Sequence, residues 1–147
     1  MNDPGITAEV RRLVMLRAGG VCEYCLISSS AFRVAFHVDH VIARKHEDPA
    51  LDHNLCLSCP ECNRAKGSDI STIVDGMMVR LFNPRIDAWR DHFALDGAVI
   101  RARSKIGRGT IRLLGINDPF RVDYRHAAFL AGIYPDAHGK RIMSHSP

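Results

Sequence analysis

Four of the five cysteines stand as two close pairs, Cys22-x2-Cys25 and Cys59-x2-Cys62, and Asp39-His40, Asn54, Asn63 and Lys66 lie between or just after them. Two such pairs let four thiolates converge tetrahedrally on one Zn²⁺, each short turn offering two sulfurs. Ligation by cysteine alone closes the shell, so the ion would be structural, with no position open to a substrate. The 33 residues between the pairs exceed the usual zinc-ribbon interval, and a structured insert must sit there. Two unrelated CxxC turns, or a redox dithiol, are the competing readings. Cys56 offers a second register as Cys56-x2-Cys59; the preferred pair is Cys59 and Cys62, with Cys56 a small buried residue on a strand.

The residues inside this frame suit different chemistry. Histidine titrates near neutrality, so His40 beside a carboxylate is a natural general base. Asp39 offers a hard carboxylate oxygen and Asn63 an amide carbonyl. Such ligands suit Mg²⁺ or Mn²⁺, which keep waters and share coordination with phosphate. Neighbours on a strand point to opposite sides, so Asp39 and His40 could address one target from two directions, while His37 shares the Asp39 face.

Several elements must position these groups. Thr7 can cap a helix running to about Ala18, with Val10, Leu13 and Val14 on one stripe and Gly19-Gly20 ending it. Residues 32–41 alternate loosely as a strand, with Val34, Phe36 and Val38 on one side. A polar stretch, 43–52, separates it from a short strand at 54–57, which leads into the second cysteine pair and a helix opening near Asn63. Beyond residue 77 the spacing predicts an apolar run at 77–82, a helix at 84–93 and a strand at 98–102. Helices at 110–114 and 119–131 follow, the latter with Pro119 in its first turn, and then a loose tail from 138.

With 147 residues, 46% hydrophobic and 24% charged, the chain can bury a core and is poorly suited to general disorder. No run approaches the roughly 18 apolar residues of a membrane helix, and the start lacks a basic-then-apolar signal pattern. A cytoplasmic setting without membrane association is therefore expected, where cysteines serve metal or chemistry rather than disulfides. Residues 1–79 hold 8 Lys/Arg against 10 Asp/Glu, whereas residues 80–147 hold 12 against 6. The basic half points to a polyanionic partner, although dispersed solubilising charge explains it as well. Arg101 and Arg103, alternating on the strand at 98–102, would share one face as a docking patch, with Arg80, Arg85, Arg90, Arg108 and Arg112 around it.

The stretches CEYC, VDHVIA and HNLCLSCPECNRAKGSD together resemble the HNH endonuclease family, whose core reads DH…N…CxxCN(R)xK within the same four cysteines. The resemblance covers residues 22–69. A weaker likeness, through LFNPRIDAWRDHF and GRGTIRLLGIN, is to the C-terminal extension of a bacterial subgroup of stand-alone members. It implies an α+β fold: a ββα-metal (His-Me finger) core with a four-cysteine zinc site and an N-terminal helix in residues 1–76, then an α/β extension over 77–147 with a flexible tail from about 138. The implied activity is hydrolysis of DNA phosphodiester bonds, in duplex or branched substrates, by nicking or double-strand cleavage that leaves 5′-phosphate and 3′-hydroxyl ends. His40, Asn54 and Lys66 form the implied catalytic set, with Asn54 on the second strand holding the His40 backbone or the loop. Asp39 and Asn63 hold one Mg²⁺ or Mn²⁺, and Arg64 and Lys66 contact phosphate. The third motif position is Asn63 rather than histidine, an HNN-type variant that favours Mg²⁺ or Mn²⁺ over Zn²⁺ or Ni²⁺ at the catalytic position. Two alternatives are a zinc-stabilised DNA-binding module without nuclease activity and a zinc scaffold for protein interaction. The second leaves the DH, N and N-x-x-K pattern as coincidence.

Overall fold

The structure, a computed structural model, describes residues 5–47 and 53–146. Residues 1–4, 48–52 of the polar stretch and Pro147 lie outside the described residues.

Helix α1, Ala8–Ala18, begins where Thr7 Oγ1 accepts the Val10 N–H at 3.2 Å and ends at Gly19, whose φ of 64° is left-handed. Its buried stripe is Val10, Val14 and Ala18, spaced four apart, and it packs with Ile6 on Leu55 and Leu57. Leu13, expected on that stripe, is instead 59% exposed, because a residue adjacent to Val14 in sequence lies about 100° round the helix.

The expected strand at 32–41 shrinks to four residues near its end. Ser29–Phe32 forms a single helical turn, α2, closed by Arg33 at φ 50°, and only His37–His40 is strand β1. Ser28 and Ser30 bond each other through their hydroxyls at 2.8 Å, a local alternative to extended pairing. Strand β2, Leu55–Ser58, runs antiparallel to β1 with Asp39 opposite Cys56 and His40 opposite Leu55. Both faces of β2 are buried: Leu55 and Leu57 against α1, Cys56 in the larger core.

Helix α3, Pro60–Lys66, opens three residues before the expected Asn63. Cys59 is its extended N-cap, with Sγ accepting the Cys62 N–H at 3.4 Å, and Pro60 fills the first turn, where a missing N–H is harmless. A second hairpin follows, β3 at Ser71–Val74 and β4 at Met77–Arg80. Its two turn residues, Asp75 at φ 52° and Gly76 at φ 77°, supply the paired positive φ values that a tight right-twisted hairpin requires. This hairpin spans the 76/77 position where the sequence divides the chain.

The remainder departs most from expectation. Of the helix expected at 84–93 only Trp89–His92 forms, as α4, and Phe93–Asp96 is strand β5, paired with β6 at Val99–Ala102. Helix α5 runs Lys105–Leu113, five residues earlier than the spacing indicates, because two glycines mask its start. A Cβ on Gly107 would lie 2.0 Å from the His92 carbonyl oxygen, so glycine is what lets α5 rest on the end of α4. Helix α6, Pro119–Leu130, forms as expected with Pro119 in its first turn. Residues expected to be a loose tail form α7, Ala137–Ser144, capped by Asp136 Oδ1 on the Gly139 N–H at 2.8 Å.

One buried cluster joins the two halves, from Val21, Cys25 and Cys62 to Phe82, Trp89, Ile116 and Tyr134. Trp89 Nε1 donates to the Tyr24 carbonyl at 3.0 Å, which makes this indole core rather than a stacking surface. Among the described residues no helix is long and apolar enough to cross a membrane.

Candidate active site

The four cysteine sulfurs of Cys22, Cys25, Cys59 and Cys62 are buried and lie within 4.8 Å of one another. A tetrahedron with zinc–sulfur bonds of about 2.3 Å has edges of about 3.8 Å. The Cys25–Cys59 separation of 3.7 Å fits that edge. Burial pushes the Cys25 thiol up, but hydrogen bonds from Cys22, Cys59 and Cys62 and the charge of Arg121 outweigh it and hold the thiol well below its ordinary value. The donor set and spacing fit a structural zinc. Cys56 is buried on β2 outside this group, in contact with the Tyr24 hydroxyl at 3.7 Å, and burial raises its thiol far above the ordinary range.

The β1–β2 hairpin carries the other cluster. Alternation puts His37 and Asp39 on one face, with Cys56 and Ser58 across from them, and Val38 and His40 on the other, with Leu55 and Leu57. Burial raises the Asp39 carboxyl above its ordinary value, against the opposing pull of Lys66, the His40 backbone N–H, and the His40 and His37 rings. A half-buried carboxylate still short of counter-charge suits a divalent cation. His40 is 8% exposed. Asn54 brackets Ile42, accepting its N–H at 2.9 Å and donating to its carbonyl at 2.8 Å, while the Asn54 carbonyl accepts from Val41 at 2.8 Å.

Helix α3 packs on β1 and contributes two residues one turn apart, Asn63 and Lys66. Asn63 is half-buried inside the helix rather than at its cap, and its side-chain amide has no hydrogen-bond partner among the described residues. Lys66 is only 2% exposed; its ammonium donates to the His40 carbonyl at 3.4 Å instead of projecting outward. Arg64 is exposed on the same helix.

The basic extension is less free than its charge implies. Arg80 grips Asp87 through two bonds of 2.7 and 2.9 Å, Arg85 pairs with Glu23, and Arg90 donates to the Ser144 carbonyl at 2.7 Å. Arg101 pairs with Asp96 at 2.8 Å, Arg108 with Asp75, and Arg112 donates to the Ile73 carbonyl. Strand β6 stops at Ala102, so Arg103 lies one residue beyond it, with its N–H bonded to the His92 carbonyl at 2.8 Å. A cleft of about 420 Å³ opens beside the outer edge of β2, lined by Arg17, Glu23, His53, Arg85 and Arg141 among others. Neither Asp39, His40 nor Asn63 lines it.

Two residues at these sites had no signature in type or spacing. Glu23, inside the first CxxC turn, accepts the Leu57 N–H at 2.8 Å and holds Arg85 from 62 positions away. Arg121, on α6, points a guanidinium nitrogen at Cys62 Sγ from 3.0 Å. Only packing brings either into place.

The hairpin, the helix packed on it and the four-cysteine centre that starts that helix define a ββα-metal fold in an α+β chain. Residues 22–69 match the family model described as HNH endonuclease. The match points to a nuclease or nucleic-acid-binding function. No curated protein matches the chain, and no solved structure does.

Proposed function

We propose that the chain is a metal-dependent endonuclease that hydrolyses DNA phosphodiester bonds, with His40 as general base. The observation that carries this reading is the β1 register: consecutive residues Asp39 and His40 lie on opposite faces of a hairpin, with α3 packed against it. Asp39 and Asn63 would hold a Mg²⁺ or Mn²⁺ ion. When bound, that ion would supply Lewis-acid stabilisation of charge on the phosphate oxygens.

The chain's own groups do the rest. His40 takes the proton from the attacking water, and a ring that is mostly covered needs only one nitrogen at the water to do so. Asn54 fixes the backbone that follows His40. Lys66, bonded to the His40 carbonyl, fixes it from the other side and adds positive charge beside Asp39. Exposed Arg64 is the α3 cation available to a flanking phosphate. The products carry 5′-phosphate and 3′-hydroxyl ends.

The 8% exposure of His40 favours one other reading, a zinc-stabilised DNA-binding module without nuclease activity. One assay separates them: supercoiled plasmid incubated with Mg²⁺ or Mn²⁺ and either the parent or His40→Ala. Nicking by the parent and its near loss in the variant supports the nuclease. Plasmid retardation without nicking by either supports the binding module, and equal cleavage by both removes His40 from the reaction.

A further inference from the structure

A zinc ion held by four thiolates carries two net negative charges, and a buried anion of that size needs counter-charge close by. Among the described residues of the segment matched to the family no cation reaches the sulfurs, whereas helix α6 brings one. Arg121 is 3% exposed, places Nη2 3.0 Å from Cys62 Sγ and 3.9 Å from Cys59 Sγ, and donates Nη1 to the Leu114 carbonyl at 2.6 Å. Four residues on, and so on the same helix face, Arg125 is fully buried and gives its three donor nitrogens to the Ala98 and Ile116 carbonyls and to Asn117 Oδ1. Among the described residues neither guanidinium meets a carboxylate. Apart from the sulfurs at Arg121, both buried arginines meet only neutral acceptors, so the sulfurs are the source of negative charge within reach of Arg121. Arg121 Nε and the Tyr124 hydroxyl, close to one turn further along α6, are also buried without a hydrogen-bond partner among the described residues.

We propose that Arg121 is the counter-charge of the tetrathiolate zinc centre, so that α6, outside the HNH match, is a working part of that centre and governs how long it keeps its metal. The proposal rests on the reading of the four cysteines as a zinc site. It places the cation 59 residues from Cys62 in sequence and makes zinc retention and the docking of the extension one event. A zinc-bound thiolate that accepts a charge-assisted guanidinium hydrogen bond offers less electron density to competing metals and oxidants.

The test uses the full chain. Metal content of the native protein examines the site itself: absence of zinc overturns this proposal together with the zinc reading. With zinc present, transfer to an excess of a chelating dye is timed for the parent, Arg121→Met, Arg121→Lys and the surface control Arg12→Met. Release that is roughly 10–100-fold faster in Arg121→Met, intermediate in Arg121→Lys and unchanged in Arg12→Met supports the proposal. In Co²⁺-loaded protein the thiolate-to-cobalt charge-transfer band should move to lower energy in Arg121→Met and less so in Arg121→Lys, since sulfur loses a positive neighbour. Release within twofold of the parent with an unmoved band overturns the proposal. So does an Arg121→Lys protein as impaired as Arg121→Met, because shape rather than charge would then matter. Where Arg121→Met does not fold, Arg121→Lys alone decides on the same two readouts.

Discussion

The Asn54 side chain holds both backbone groups of Ile42, accepting the N–H at 2.9 Å and donating to the carbonyl at 2.8 Å. It copies a strand's pairing where β1 has ended and so pins the chain two residues beyond His40. Asn54→Ala should cost about 1–3 kcal/mol of stability, since two part-buried backbone groups of Ile42 lose partners. Plasmid nicking should fall roughly 10–100-fold, the usual effect of losing a group that orients a catalytic residue. Denaturant titration and nicking rates measure the two effects. An Asn54→Ala protein as stable and active as the parent would remove the clamp from the mechanism.

His40→Ala and Asp39→Asn should separate proton transfer from metal binding. The first should keep its zinc and its thermal transition while nicking drops about 10²–10⁴-fold. The second should also lose nicking but with weaker Mn²⁺ binding, read by calorimetry. Mn²⁺ affinity unchanged in Asp39→Asn would take the carboxylate out of the cation site.

Cys59 has two jobs, zinc ligand and N-cap of α3. Cys59→Ser keeps a capping oxygen but breaks the tetrathiolate, so its loss of stability reports on metal rather than on helix capping. Structural zinc contributes on the order of 10 kcal/mol in small zinc domains. The variant should lack zinc by elemental analysis, lose its cooperative thermal transition and become insensitive to chelator. A Cys59→Ser protein that still unfolds like the parent would mean the metal is dispensable to the fold.

Asp87 is the anchor of the segment before α4: it binds Arg80 through two bonds and accepts the Asn83 N–H at 2.8 Å. Burial raises its carboxyl, but Arg80, Asn83 and His92 outweigh this and leave it below its ordinary value of 3.8. A lowered acid favours folding while ionised, so its contribution is full above the unfolded value and disappears as pH falls through the folded one. Asp87→Asn should therefore cost about 1–3 kcal/mol at pH 7, with the gap from the parent closing below about pH 4. Denaturant midpoints across that range check the sign. A gap that widens on acidification would contradict the ion pair.

Much of the site is legible in local spacing, because the features concerned act over a few residues. CxxC turns bring two sulfurs together wherever they occur, and adjacent strand residues such as Asp39 and His40 must face apart. Thr7, Gly19 and Pro119 mark helix ends through their own backbone preferences. Where expectation and structure part, the deciding force comes from elsewhere in the chain. Gly107 and Gly109 hide α5 because glycine opposes helices in isolation, yet close approach to α4 and the β3–β4 hairpin requires them. Leu55 through Ser58 give no hint that both faces of β2 are covered, since that depends on α1 on one side and the metal centre on the other. In the sequence a lysine or an arginine reads only as a positive charge. Whether Lys66 reaches into solvent or down to the His40 carbonyl, and whether Arg121 is one more surface cation or a partner for Cys62, is set by packing between segments far apart in sequence. Tertiary structure alone made those choices, because burial turns a solvated charge into one that must find its opposite.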